Sequence, residues 1–385
     1  MRVAIVAEYY PRAADPVLGV WAHRQALAAR AAGADVRVLL LHRPLPPLAD
    51  VRRGRLAACA QPRRTVLDGI PVASVPYLSP PRPWSYGAWG AWAAPALRRA
   101  LRTLRAAWPF DLVHAHYAVP AGDAVRRAAL DVPLVVSVHG GDVLATVHRS
   151  PYARRTVART LAGARLVLAN SEGTAARCRA LGAAATTVVH LGTDLPPTVE
   201  RTAGPPTLVT VGHLVARKRH ADVLEALARL APAHPGLRWV VVGDGPEREP
   251  LRALAARLGL ADRVELAGQL PPAAARERAW RGDLMVLPSV DEAFGVAYVE
   301  AMAGGVPALG CAGEDGPEEI AVLGEGLVRV PPGDAAALAA AIDELLRDDA
   351  RRERLGAAAR ATVERHFTWQ RCGEATVAAY ERAIR

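Results

Sequence analysis

A single lysine, Lys218, stands among the 48 lysine and arginine residues of this 385-residue chain. It lies in VTVGHLVARKRH, just after an apolar run that ends in Gly212. That is a strand-to-loop junction, where α/β folds bind ligands. A compact ammonium there suits a phosphate; the other reading is a lysine kept on an exposed turn. Two acidic residues form a second group. Glu292 and Glu300 flank Phe294 and Gly295 in PSVDEAFGVAYVEAMAGGVP, residues 288–307. Gly295 lets backbone approach a ligand, and free N–H groups at the start of the following helix can hold a phosphate oxygen. Glu292 can then accept hydrogen bonds from hydroxyls, and Glu300, on the helix, can bind a diol. The same pair also reads as a partner for the helix dipole and an exposed helix charge. A third group, His139-Gly140-Gly141-Asp142, ends the apolar run VVSV. It is either a turn or a ligand site.

These residues need elements to position them. In the first half, apolar runs at 3–7, 36–41, 112–116, 134–139, 166–169 and 187–191 alternate with alanine- and arginine-rich stretches of helical periodicity such as 22–32 and 151–162. Buried strands alternating with helices predict a parallel sheet covered on both faces. Residues 193–206, TDLPPTVERTAGPP, are proline-rich and polar and read as a linker. The pattern then restarts, with strands at 208–211, 239–242, 264–267, 285–287 and 308–311. The fold class is α/β: two Rossmann-like domains facing across a cleft. Proline clusters at 44–47 and 80–83 mark loops.

Bulk properties narrow the function. The length suits two domains, and no apolar run is long enough to span a bilayer. MRVAIVAEYYPR reads as a buried strand and not a signal peptide. The four cysteines, Cys59, Cys178, Cys311 and Cys372, have no metal-ligand spacing, so the expectation is a reduced cytoplasmic protein with no metal site. A net charge of +10 fits an anionic ligand or membrane face, but the arginines are spread over helix surfaces and form no nucleic-acid motif. No nucleic acid is expected as a partner.

The blocks around these residues resemble the retaining glycosyltransferases of family GT4. Glu292 and Glu300 match the E-x7-E donor signature, with FG after the first glutamate and EAMAxGxP around the second. VGHLVARKRH resembles the family's VGRL-x3-KG block, with Lys218 on the family lysine. His213 stands where many members have arginine, and Arg219 where many have glycine. VVGDGPER resembles the next block, which reads as a tight structural turn, and VELAGQLPP the segment whose backbone meets the base. HGGD resembles HG-x-D. EYYPRAADPVLGVW resembles the acceptor-side loop, here with the single glycine Gly19, and HFTWQRCGEATVAAYERAI the terminal helix. Asn170-Ser171-Glu172 and the residues around Gly192 resemble further cleft positions, and read by themselves as a helix cap and a turn.

The resemblance implies the GT-B architecture: an N-terminal acceptor domain, 1–195; a linker, 196–206; a donor domain, 207–366; and a C-terminal helix, 367–385, crossing back onto the first domain. It implies transfer, with retention, from a nucleotide-diphosphate sugar, uracil being the base that family frequency favours. His139, Lys218 and Glu292 take the catalytic roles. Gly19, Gly212, His213, Arg217, Lys218, Gln269, Leu270, Glu292, Ala293, Phe294, Gly295, Val296 and Glu300 take the donor. Trp21 and Asp142 lie on the acceptor side. No cofactor is implied beyond the donor substrate itself, and no metal, because no persuasive Asp-x-Asp loop is present.

The acceptor stays open between a lipid-linked glycan of surface-polysaccharide or glycolipid assembly and a small natural product. Trp84, Trp89 and Trp92 precede Arg98, Arg99, Arg102 and Arg105, which fits peripheral contact with the inner face of a membrane. Alternatively, Leu97, Leu101 and Leu104 pack on the sheet and the arginines face water. Rival activities are a nucleotide-sugar epimerase on the same fold and a nicotinamide-dependent dehydrogenase; the latter needs a G-x-G-x-x-G opening that neither domain has.

Overall fold

A computed structural model of the chain describes residues 1–12, 15–44, 61–197, 199 and 204–385, leaving aside the side chains of Pro83 and Trp84. Cys59, Leu45, Pro46, Pro47 and part of the proline-rich segment (198 and 200–203) lie outside the described residues. Two compact units are present. One joins Met1–Leu191 to Trp369–Arg385; the other is Gly192–Thr368.

The first unit holds an eight-stranded sheet: β1 (Arg2–Ala7), β2 (Asp35–His42), β3 (Arg64–Leu67), β4 (Ile70–Pro76), β5 (Leu112–His116), β6 (Leu134–Val138), β7 (Leu166–Ala169) and β8 (Thr186–Val188), in the order β3-β4-β2-β1-β5-β6-β7-β8. The central strands are rich in Val, Ile, Leu and Ala and buried on both faces, as a helix-covered parallel sheet demands, with His114, His116 and Ser137 as buried polar exceptions. All pairs are parallel except β3 with β4. That hairpin is absent from the strand pattern read above. Prolines at 71 and 76 hide β4, yet the signal was there: Asp68 (φ 48°) and Gly69 (φ 78°) form the two-residue turn that Asp-Gly favours.

Helices cover the sheet. Leu97 and Leu101 of helix Trp89–Ala107 are wholly buried, while Arg98, Arg99, Arg102 and Arg105 are exposed. Trp89 is buried against Tyr77 and Tyr86, and Trp92 is exposed. The helix thus follows the packing reading. Among the described residues no helix is long and apolar enough to cross a membrane. Helix Trp369–Ile384 docks on helix Val20–Ala31 of the same unit. A Cβ on Gly373 would stand 2.2 Å from the Ala28 carbonyl oxygen, so only glycine permits that approach. Gln25 Nε2 donates to Thr376 Oγ1 at 3.1 Å, and buried Tyr380 pairs its hydroxyl with His114 Nδ1 at 2.8 Å.

The second unit has six parallel strands: β9 (Thr207–Val211), β10 (Arg238–Val242), β11 (Val264–Gly268), β12 (Leu284–Val286), β13 (Ala308–Cys311) and β14 (Leu327–Val330), in the order β11-β10-β9-β12-β13-β14. β14 was not anticipated; its four residues between glycine-containing turns are too short to show a period. By position this is the doubly wound order 3-2-1-4-5-6, which reverses between β9 and β12. Lys218 follows β9 and Glu292 follows β12.

Candidate functional site

Beyond β9 the chain makes a single 3-10 turn, Ala216–Lys218, then places Arg219 at φ 52° before helix His220–Leu230. Beyond β12 a loop runs to Gly295, which caps helix Val296–Ala303 at φ 84°. The Val290 N–H donates to the Arg217 carbonyl at 2.9 Å and ties the two loops together. Lys218 Nζ donates to Glu292 Oε2 at 2.5 Å, and Ser289 Oγ donates to the same oxygen at 2.8 Å. The Arg217 guanidinium stands 3.8 Å away on an exposed stem. Lys218 and Glu292 are each only 9% exposed. Burial pushes the Glu292 carboxyl up, but the charge and hydrogen bond of Lys218, helped by Arg217 and Ser289, outweigh it and hold the group below its ordinary value. The pair is therefore ionic, buried and mutually dependent.

Neighbouring loops fix this geometry. Glu314 Oε2 accepts the Glu292 N–H at 2.9 Å, and the Gly316 N–H donates to the Glu292 carbonyl at 2.8 Å. Ala293 and Phe294 are buried, with the Phe294 ring 5.6 Å from that of Phe367. Val296 opens the helix whose N–H groups start beside Gly295. A Cβ on Gly295 would lie 2.3 Å from the Tyr298 ring, in a left-handed conformation. Gly295→Ala should therefore cost about 2–4 kcal/mol in urea unfolding, from backbone strain and overpacking together; unchanged stability would contradict this packing. The VVGDGPER turn does similar work. A Cβ on Gly243 would stand 1.9 Å from the Gly212 carbonyl oxygen, and one on Gly245 2.4 Å from that of Leu214. The turn grips the Gly212–Leu214 backbone through Leu214 N–H to the Asp244 carbonyl, 3.1 Å.

Other donor-side candidates sit apart from the pair. His213 is exposed, and its Nδ1 lies 3.2 Å from the Asp244 carbonyl. Gln269 (exposed) and Leu270 (half-buried) follow the edge strand β11. Glu300 lies 3.8 Å from Arg276, which also reaches Asp194 at 3.2 Å. Arg276 was not anticipated, since nothing in its helix, Pro272–Trp280, marks it in sequence.

In the first unit His139 follows β6. Its Nε2 faces His116 Nδ1 at 3.0 Å, the rings stacked within 3°, and the rings of Tyr117 and Trp21 lie 5.3 and 6.3 Å away. Burial pushes the imidazole down to about 4, so His139 is neutral near pH 7. Gly19 (φ 66°) packs on the Tyr9–Tyr10 backbone, where a Cβ would stand 2.2 Å from the Tyr9 carbonyl carbon. Ser171 caps helix Glu172–Ala180. Asp142, expected on the acceptor side, is wholly buried. Its oxygens accept the N–H groups of Ala118 (3.1 Å) and Val119 (3.3 Å), so it positions the backbone next to Tyr117. His116, Glu8 and Tyr117 were not anticipated either; topology, not spacing, gathers them. Among the described residues no group of three or more His, Cys, Asp or Glu could hold a metal ion.

Burial raises Asp142 to about 7, against the pull of the two N–H groups. Between its ordinary 3.8 and that value the folded chain keeps a proton that the unfolded chain has lost. Its contribution to stability is thus fully present below 3.8 and is lost as pH rises through about 7. His114, His116 and His139, held neutral by burial, act with the opposite sign as pH falls below 6.5. Asp142→Asn removes only the first slope. Relative to wild type, its stability to urea should gain roughly 2–3 kcal/mol between about pH 5 and about pH 8. Identical pH dependence would contradict a buried, proton-holding carboxyl.

Comparison with known proteins covers the whole chain. A family model described as "Glycosyltransferase Family 4" matches residues 18–196, and one described as "Glycosyl transferases group 1" matches 195–362. Glycogen synthase of Mycobacterium tuberculosis is 28% identical over 410 residues, covering 100% of this chain and 95% of the relative. The 2-deoxystreptamine glucosyltransferase of Streptomyces kanamyceticus is 30% identical over 281 residues, covering 64% of this chain and 71% of the relative. Among solved structures, Anabaena HepE in complex with UDP and glucose superposes with a TM-score of 0.73 at 21% identity, covering 99% of each chain.

Proposed function

The chain belongs to family GT4 of the glycosyltransferases, with the GT-B fold, and from that premise we propose that it transfers a sugar, with retention and without a metal ion, from a uridine-diphosphate sugar to an acceptor hydroxyl. The observation that carries this reading is the buried Lys218–Glu292 pair at the strand-order reversal, beside the start of helix Val296–Ala303. In the step, the bond from the anomeric carbon to the diphosphate oxygen breaks and its electron pair stays with the diphosphate. A bond from the acceptor oxygen to the anomeric carbon forms, and the acceptor hydroxyl gives its proton to the departing diphosphate oxygen. Negative charge grows on the leaving group. Lys218, Arg217 and the N–H groups at the helix start are the donors aimed at it, and preorganised donors of this kind commonly supply the largest catalytic contribution.

As the diphosphate takes over Lys218, Glu292 is left to accept hydrogen bonds from sugar hydroxyls. It is not a nucleophile in this reading, so the spacing rules of paired glycosidase carboxylates do not apply. Glu300 binds the ribose diol, and neutral His139 meets the sugar or the reacting centre as an uncharged hydrogen-bonding group. HepE, which binds UDP and glucose, supports uridine as the donor nucleoside. Surface-polysaccharide or glycolipid assembly in the cytoplasm or at the inner membrane face is the proposed setting. The test uses UDP-sugars labelled with 13C at the anomeric carbon and pooled lipid and oligosaccharide acceptors, followed by NMR. An α-linked product from an α-linked donor, formed at the same rate with a chelator present, is expected. A β-linked product would contradict retention, and loss of rate with chelator would contradict metal independence.

A further inference from the structure

The first unit's sheet also reverses, between β1 and β5. Parallel sheets take ligands outside the carboxyl ends of the strands at such a point. The residues leaving β1 and β5 there are Glu8, Tyr9 and Tyr117. The Tyr9 and Tyr117 rings lie 5.0 Å apart, and Tyr117 continues to His139 at 5.3 Å. At the other end the Arg82 guanidinium sits 5.3 Å over Tyr9. All four side chains of this band are half-buried, so each keeps a solvent-facing part.

Arg82 is held in place without being neutralised. Its guanidinium lies 4.2 Å over Tyr86 and 5.7 Å over Trp89, two buried rings. Tyr86 itself donates its hydroxyl to Glu8 at 3.2 Å. Among the described residues no carboxylate or carbonyl hydrogen-bonds to Arg82; its charge acts on Glu8 only through space. Two further guanidiniums stack on the same hub, Arg149 over Tyr86 at 5.3 Å and Arg43 over Trp89 at 5.5 Å, and Arg12 donates to the Glu8 carbonyl at 2.8 Å. Of these four arginines, Arg82 and Arg12 act on the Glu8 carboxylate, while Arg149 and Arg43 add positive charge on the rings beside it. A positively charged acceptor would meet like charge here, whereas a planar fork with unspent N–H donors suits a bidentate oxyanion.

We propose that this band is the acceptor site and that the acceptor is a sugar-like ring carrying a phosphoryl group, which Arg82 binds. The ring's apolar face rests on Tyr9 and Tyr117, and the reacting hydroxyl points to the His139 end. The proposal rests on the transferase reading above and names its acceptor class. The phosphoryl group could belong to a soluble sugar phosphate or to a lipid headgroup, and the test separates the two.

Full-length wild type, Arg82→Ala and Lys218→Ala, each checked for folding by urea melts, are titrated calorimetrically with glucose 6-phosphate, glucose, glucosamine and UDP. Their cosedimentation with phosphatidylglycerol and with phosphatidylcholine vesicles is also measured. The expected result is a preference of at least about tenfold for glucose 6-phosphate over glucose and glucosamine, or for phosphatidylglycerol over phosphatidylcholine. Whichever preference appears identifies the source. It should disappear in Arg82→Ala, which still binds UDP, and persist in Lys218→Ala, which does not. No preference in either arm, or one that survives Arg82→Ala, would overturn the proposal. Failure of wild type to bind UDP would instead overturn the donor reading, leaving the Arg82 comparison to stand on its own.

Discussion

Lys218→Ala should lower sugar transfer by about three orders of magnitude, close to 4 kcal/mol of barrier, in a chain that remains folded. The size follows from position. The ammonium is buried at the strand-order reversal, so its interaction with a leaving diphosphate is little screened by water. The substitution also strips Glu292 of its partner, and an unpaired buried carboxylate commonly costs about 3–5 kcal/mol unless it takes up a proton. A second variant separates the two effects. Lys218→Met combined with Glu292→Gln leaves neither charge of the pair and should regain stability to urea while transfer falls well below that of Glu292→Gln alone. Transfer equal to that of Glu292→Gln alone would mean that Lys218 acts only as a structural partner.

Glu292→Gln should lower kcat by about two orders of magnitude without weakening UDP. Glutamine keeps the volume and can still accept from Ser289, so the loop tied to Glu314 and Gly316 has no steric reason to move. The negative charge that holds Lys218 is gone, and the ammonium is freer to meet a diphosphate. Nucleotide affinity should hold or rise while transfer falls, because the carboxylate's hydrogen bonds to the sugar are lost. Parallel calorimetric titration with UDP and turnover assays check this. An equal loss of UDP affinity would assign Glu292 to holding the loop rather than to the sugar.

The grouping of candidates around Lys218 and Glu292 was open to sequence reasoning because its parts are short-range. Lys218 follows β9 by a few residues, and Glu292, Gly295 and their helix form one continuous segment, so strand-to-loop reasoning could place each. That the two meet at 2.5 Å was not legible; it depends on β9 and β12 being neighbours across the reversal. Glu300 was read as turned to the ligand, and its pairing with Arg276 depends on how helices Pro272–Trp280 and Val296–Ala303 pack. Asp142 lies in a recognisable block, yet its bonds to two N–H groups in a bend after β5 are revealed by no local pattern. Arg82, Tyr9 and Tyr117 come from three distant segments and share no spacing. Leu97 and Leu101 went the other way: helical periodicity alone separated the buried leucines from the exposed arginines.

The most direct measurement is thermal unfolding of wild type and Lys218→Ala with UDP, GDP, ADP, dTDP and, as control, NADH. A ligand at about 100 times its dissociation constant adds roughly 2.7 kcal/mol to the folded state, enough for a clear rise in Tm. The account predicts a rise with UDP in wild type, little or none with NADH, and loss of the UDP effect in Lys218→Ala. A UDP shift of the same size in the variant, or no shift with any nucleotide diphosphate, would contradict a donor site built on Lys218.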